Sequence, residues 1–201
     1  KLKEEFHDFG GYFIINGLEK LIRMITITRR NYPIAFIRPS VTKKRAGCSE
    51  FVCEMKCVRE DFTSHTIALH YINDGTICLR ILIKKTELMI PLILILNSLM
   101  EYPDIYLYNK IVRGTKKNPK LNECVEVLIA DGKKYGYNSQ KEYLAHLGRI
   151  LRNFIGFKDI TDVTNEEVVK FFLKEYICIH VNDFNDKFNI LCLMAEKLYL
   201  L

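Results

Sequence analysis

No apolar run in this sequence is long enough to cross a membrane as a helix; the most apolar stretch, Leu88 to Leu96, has about half the required length. It reads as the end of a buried strand followed by the start of a helix. No basic-then-apolar leader opens the chain, so no secretory signal is expected. Cysteine lacks even spacing and totals seven, an odd number that argues against a secreted disulfide framework and for a reducing compartment. A Gly-x-x-x-x-Gly-Lys-Ser/Thr phosphate loop, a Gly-x-Ser-x-Gly elbow and an Asp-rich cluster suited to two magnesium ions are all absent from the sequence. Asp159 and Asp162 read as surface acids near a helix start, and no catalytic residue is expected in the chain. Position 1 is not Met, and the sequence stops inside the apolar helical pattern Leu198 to Leu201, so both ends read as internal to something longer.

Acid is also missing locally. Between Lys20 and Ser49 stand Lys20, Arg23, Arg29, Arg30, Arg38, Lys43, Lys44 and Arg45, with no Asp or Glu among them. A second acid-free stretch holds Lys110, Arg113, Lys116, Lys117 and Lys120. The net charge is +6, and uncompensated positive charge of this kind concentrates polyanions nearby. Taken alone, Lys43-Lys44-Arg45 equally suits a solvated loop tip. Apolar residues at 49% and charged residues at 27% fit an ordinary soluble globular protein. The 201 residues allow one large domain or two small ones.

What is present falls into two halves. Gly10-Gly11 precedes the apolar run Tyr12 to Ile15, and Asn16-Gly17 then supplies a strong short hairpin signal, because both residues tolerate positive φ. The returning arm, Leu18 to Thr28, is Ile/Thr-rich and reads as a strand, with a helix over Leu18 to Ile27 left open. Further strands are predicted over Pro33–Arg38, Glu50–Val58, His65–Ile72, Thr76–Lys84 and Thr86–Ile90, with turns at Asn73-Asp74-Gly75 and Lys84-Lys85. In Glu50–Val58 the alternation puts Phe51, Cys53, Met55 and Cys57 on one side. From Pro91 onward the period becomes helical. Helices are predicted over Leu92–Met100, Asp104–Val112 (stopped by Gly114) and Leu121–Ala130 (stopped by Gly132). Two more follow the capping-box patterns Ser139-x-x-Glu142 and Thr164-x-x-Glu167, and a last one runs from Asp186 to the end. Ile177–Val181 reads as a short extended piece. Strands first and helices after indicate α+β, with mostly antiparallel strands and hairpins before a helical half.

Cys48, Cys53 and Cys57 with His65 and His70 invite a zinc reading. In an extended strand, however, i and i+4 side chains stand more than about a dozen Å apart, and the two histidines fall on opposite faces. Packing is the reading for these cysteines, with no metal and no cofactor expected in the chain. His146, inside a helix, and His180, on the extended piece, read as structural.

The run Gly10-Gly11-Tyr12-Phe13-Ile14-Ile15-Asn16-Gly17-Leu18-Glu19-Lys20 resembles a signature of the second-largest subunit of multisubunit RNA polymerases. Arg29-Arg30-Asn31-Tyr32-Pro33 with Ile34 to Ser40 is similar to the RNA polymerase I branch of that family. Leu69 to Gly75, Lys84 to Pro91 and Lys187 to Leu198 also follow the subunit, whereas Thr115 to Phe157 matches weakly outside Tyr143 to Gly148. The resemblance implies a remnant of the protrusion domain over residues 1–30 and the lobe domain over 31–201, with strands to 90 and helices after. It implies a wall of the DNA cleft and a docking surface. The partners would be the largest subunit, a TFIIF-like heterodimer, a small zinc-ribbon subunit and the DNA template, in the nucleus and nucleolus during rRNA synthesis. The magnesium of the parent complex would be bound mainly by the largest subunit. The eight basic residues from Lys20 to Arg45 would then face nucleic acid by phosphate contact, which positions without reading sequence.

Other readings stay open at this stage. The lobe of another nuclear polymerase differs only in short stretches. A free-standing nucleic-acid-binding protein would predict appreciable DNA affinity by the chain alone, where a cleft wall predicts weak binding. A metal-dependent enzyme would predict stoichiometric zinc. The amino-terminal Phe9, Tyr12, Phe13, Ile14 and Ile15 are expected to lie exposed and mobile, or covered by another molecule.

Overall fold

In the computed structural model, residues 10–113, 118–137, 139–156 and 163–201 are described. Gly114, Lys116, Lys117, Asp159, Asp162 and Phe9 lie outside them. The first hairpin forms as its turn chemistry requires: β1 (Tyr12–Ile15) pairs antiparallel with β2 (Leu18–Leu21), and Asn16 and Gly17 take φ of 52° and 75°. The return arm is shorter than expected, and neither strand nor helix continues through residues 22–29. Both strands are exposed along their whole length.

The main sheet is a five-stranded antiparallel meander of β3 (Ile34–Ile37), β4 (Cys48–Val58), β5 (Ser64–Ile72), β6 (Ile77–Ile83) and β7 (Thr86–Pro91). Sequential hairpins make each strand the neighbour of the next. The Lys84-Lys85 tip turns with both residues at positive φ, 46° and 69°. Register fixes the two faces. Cys53 lies opposite Ala35 and Leu69, and Leu69 opposite Leu79, so Cys53, Met55, Cys57, Ile67, Leu69, Leu79 and Ile81 build the inner face. On the outer face Val52 lies opposite Phe36 and His70, and Arg80 opposite Ala68 and Met89. The alternation read from β4 is the one observed.

A short helix, α1 (Ser40–Lys44), stands where the sequence suggested a loop tip. Its Val41 is buried in a small apolar cluster with Cys48, Val52 and Ala68, and this burial holds the turn against the outer face. The remaining helices join the inner-face core: α2 (Leu92–Leu99), α3 (Asp104–Val112), α4 (Pro119–Lys134), α5 (Gln140–Ile155), α6 (Asn165–Glu175) and α7 (Phe184–Tyr199). Nearly every residue of α2 is buried, so it is the central helix of the half. None of the described helices is long and apolar enough to cross a membrane.

Several expectations need correcting. Gly132 does not stop α4, which runs on to Lys134; a Cβ there would sit 2.8 Å from Ile93 Cγ1, so the glycine permits close approach to α2. Ser139 makes no capping bond. Instead Gln140 donates from its amide nitrogen to Glu101 (3.3 Å) and from its side chain to the Ser98 carbonyl (2.9 Å). Thr164, with the same pattern, does form its capping box. Residues 177–181 make a largely buried turn instead of an extended piece, and Lys187 ties the start of that turn, the Ile177 carbonyl, to the end of α6. The Lys187 ammonium, fully buried on α7, donates to the carbonyls of Leu173 (2.6 Å), Ile177 (2.7 Å) and Lys174 (3.3 Å), closing the carboxyl end of α6. His180 therefore sits in a turn, not on a strand.

Candidate nucleic-acid interface

The segment Arg29 to Pro33 is tied to the edge of the sheet by Asn31. At φ 54° its backbone nitrogen donates to the Lys56 carbonyl (2.8 Å). Its side chain accepts from the Val58 nitrogen (2.7 Å) and donates to the Val58 carbonyl (3.0 Å), replacing a missing strand neighbour. Tyr32 is then held between two cations: the Arg29 guanidinium lies 4.8 Å and the Lys197 ammonium 4.3 Å from its ring centre. Lys197 also donates to the Tyr32 hydroxyl and the Pro33 carbonyl. Next along the chain, Arg38 stacks 4.6 Å over Phe36. Arg29, Tyr32, Phe36, Arg38 and Lys56 line one shallow cavity of about 250 Å³ on the outer face.

A second cavity, of about 300 Å³, adjoins it through Arg38 and Glu54 and lies between α1 and the sheet. Lys44 and Arg45 enter it from α1 and the residue after it, Arg80 from β6, and His70 forms part of its wall. Glu87 on β7 accepts hydrogen bonds from both Arg45 and Arg80. Burial opposes ionisation of Glu87, but these donors outweigh it and hold the carboxyl below its ordinary range. His70 is 2% exposed, and neither ring nitrogen has a hydrogen-bond partner. Burial, then the charges of Arg45 and Arg80, push its pKa down to about 4, so the ring is neutral.

Of the eight basic residues expected to face nucleic acid, the structure brings Arg29, Arg38, Lys44 and Arg45 together on this face. Lys43 is exposed on α1 but lines neither cavity, and Arg30 stacks 5.6 Å over Phe62. Lys20 and Arg23 sit on and after the exposed hairpin. An acid-free sequence window is not acid-free in space. Glu54 approaches Arg38 at 3.9 Å, and Glu87 takes Arg45. Sequence reasoning missed Arg80, His70 and Lys56. Arg80 had a signal, a cation interrupting an apolar strand; His70 had none, because its role depends on α1 folding over it.

The cysteines and histidines once considered for zinc are dispersed. Cys53 and Cys57 point into the inner core, Cys48 packs on the outer face, and His65 lies against Tyr176 with ring centres 5.1 Å apart. Among the described residues no three His, Cys, Asp or Glu side chains converge as a metal would need. His146 accepts from or donates to the Tyr137 hydroxyl at 3.0 Å, within a cluster of tyrosines.

No protein-family model matches the chain. Among curated proteins it is 38% identical over 200 residues to DNA-directed RNA polymerase I subunit RPA2 of Euplotoides octocarinatus, covering 99% of this chain and 17% of that protein. It is 40% identical over 199 residues to the probable counterpart in Schizosaccharomyces pombe, and 35% over 198 residues to that of Homo sapiens, again over 17% of each. The chain thus spans 17% of the length of these relatives. Identity of 35–40% in alignments that cover 98–99% of the chain makes it a homologue of a segment of the second-largest subunit of multisubunit RNA polymerases. The branch is RNA polymerase I, as the Arg29 to Ser40 resemblance indicated.

Proposed function

We propose that this chain acts as the lobe of the RNA polymerase I second-largest subunit, with residues 1–30 a remnant of the neighbouring protrusion. In this reading it forms one wall of the DNA cleft and a docking surface for other subunits, among them the largest subunit, a TFIIF-like heterodimer and a zinc-ribbon subunit. The parent enzyme would be a DNA-directed nucleotidyltransferase making rRNA in the nucleus and nucleolus. Its magnesium ions and bond-making residues would lie outside this chain, mainly in the largest subunit. The observation that carries the nucleic-acid side is the basic and aromatic outer face, where Arg29, Arg38, Lys44, Arg45 and Arg80 gather beside Tyr32 and Phe36. Arginine and lysine there suit phosphate contact without base reading. The exposed hairpin supports the docking side: Tyr12, Phe13, Ile14, Ile15, Leu18 and Leu21 are all more than 40% exposed, as an element covered by neighbouring polypeptide would be.

The test is site-specific photocrosslinking in assembled RNA polymerase I on a DNA template, with the probe at Arg38 or Lys44. DNA adducts from these positions, and protein adducts from a probe at Ile14, are expected. Protein adducts alone from Arg38 and Lys44 would remove the cleft-facing assignment of this surface.

A further inference from the structure

The crevice between α1 and the outer face of the sheet has the makings of an oxyanion site. Four cations reach it from three parts of the fold: Arg38 after β3, Lys44 and Arg45 at the end of α1, and Arg80 from β6. Two carboxylates oppose them, Glu54 from β4 and Glu87 from β7. Glu87 engages Arg45 and the Arg80 Nε, which fixes both guanidinium planes. Among the described residues the terminal nitrogens of Arg80, the Lys44 ammonium and the Ser40 hydroxyl make no hydrogen bond, and Ser40 and Lys44 both line the crevice.

The second observation is His70. A buried imidazole with two unpartnered nitrogens is costly, and native folds rarely leave one so. His70 belongs to the wall of this cavity, with both ring nitrogens lying just beneath its surface, so the ring senses an occupant held by the four cations. Neutral as it is, the ring adds no charge of its own, and the four cations supply the attraction for an anion. A chloride is a poor match to donors arriving from several directions. A tetrahedral phosphate offers several acceptor oxygens to the fork of Arg80 and to Arg38 and Lys44.

We propose that this crevice seats a single phosphate group, and that the phosphate belongs to a nucleic-acid backbone. Resting on the cleft-wall reading above, the assignment to nucleic acid follows from continuity. Arg38 and Glu54 also line the adjoining cavity, where Arg29, Tyr32 and Phe36 offer further cationic and aromatic surface along which a strand could run. A phosphorylated side chain of a partner protein would fill the crevice but has no use for that extension.

The experiment titrates inorganic phosphate into the 201-residue chain and follows the ¹⁵N-labelled imidazole of His70 by NMR, with short duplex DNA and a phosphoserine peptide as competitors. Saturable shifts are expected at about 10 mM phosphate, enough to fill a site with a dissociation constant of ~1 mM. Arg80→Gln should weaken binding about tenfold, the loss of one charge-assisted hydrogen bond. Lys44→Gln, which breaks no contact of the fold, should weaken it several-fold while leaving the unfolding midpoint unchanged. Displacement by duplex DNA supports the proposal. No change at His70 overturns the phosphate site while leaving the cleft-wall reading to crosslinking. Phosphate binding displaced by the phosphoserine peptide, and not by DNA, overturns the nucleic-acid assignment.

Discussion

Replacing Gly148 by alanine would destabilise the chain, although alanine is the better helix former. Gly148 lies in the middle of α5 and is buried. A Cβ there would stand 2.5 Å from the Asn165 carbonyl oxygen, 2.6 Å from the Asn165 Cβ and 2.9 Å from its carbonyl carbon, where ordinary contact begins at 3.4 Å. The opposing atoms are mainly backbone at the first turn of α6, so no side chain can swing aside. That turn is also held by its capping box, with the Thr164 nitrogen 2.8 Å from Glu167 Oε2 and the Glu167 nitrogen 3.3 Å from Thr164 Oγ1. Helix propensity favours the substitution by about 1 kcal/mol. Overpacking against rigid neighbours costs about 1–3 kcal/mol, and a loosened cap about 1 kcal/mol more. The net loss is about 1–3 kcal/mol, which lowers the unfolding midpoint of a domain this size by roughly 2–12 °C. Thermal unfolding followed by circular dichroism measures it. At Gly132 the nearest atom, Ile93 Cγ1 at 2.8 Å, belongs to a side chain that can adjust, so Gly132→Ala should cost less. A Gly148→Ala protein melting at or above the parent temperature would refute the close-crossing argument.

Other expectations follow from the same contacts. Lys187→Met leaves the Leu173 and Ile177 carbonyls without their donor, at about 1–3 kcal/mol. Burial lowers the Lys187 pKa from 10.5 to about 8, so between those values the folded chain binds fewer protons than the unfolded one and this residue makes stability rise with pH. Urea midpoints across that window should rise for the parent and flatten for Lys187→Met; parallel profiles would count against the buried ammonium. Asn31→Ala removes the two side-chain bonds to Val58 and should cost about 1–2 kcal/mol, read by urea titration, with no loss counting against the edge-completing role. The isolated chain should bind duplex DNA weakly and without sequence preference. If about three phosphates are neutralised, log K should fall against log salt with a slope near −3 in a fluorescence titration, and tight, sequence-selective binding would contradict the cleft-wall reading.

Local chemistry was legible wherever one residue or one turn decides the outcome. Asn16-Gly17 turns because both residues accept positive φ, and Thr164 caps because Glu167 is within reach of it along the chain. The same reasoning failed at Ser139 because a tertiary partner competed: Gln140 bonds the turn between α2 and α3 and sets the start of α5 in place of a box. It failed at Gly132 for a related cause. A glycine in a helical pattern signals either a stop or a close neighbour, and only the packing of α4 on α2 separates the two. Leu88 to Leu96 was read correctly as strand end and helix start because Pro91 sits between two apolar periods.

The outer face shows where sequence reading ends. Half of the predicted basic residues meet there, because β3, α1 and the Asn31 anchor are close in the chain and carry their cations together. What the face can do depends on residues that arrive from far away in sequence. Glu87 orients Arg45 from 42 residues away and Arg80 across the β6–β7 hairpin, and Glu54 and Arg38 line both cavities. An acid-free run therefore predicts a basic surface but not its strength. Three of its arginines, Arg38, Arg45 and Arg80, are partly neutralised by carboxylates, while Lys44 is not. His70 follows the same logic: its pairing with Val52 on β4 turns it to the outer face, and it is buried there beside α1, whose Val41 packs with Val52 and Ala68. The face is thus basic by local composition and shaped by long-range register, and the phosphate titration at His70 probes the part that register alone created.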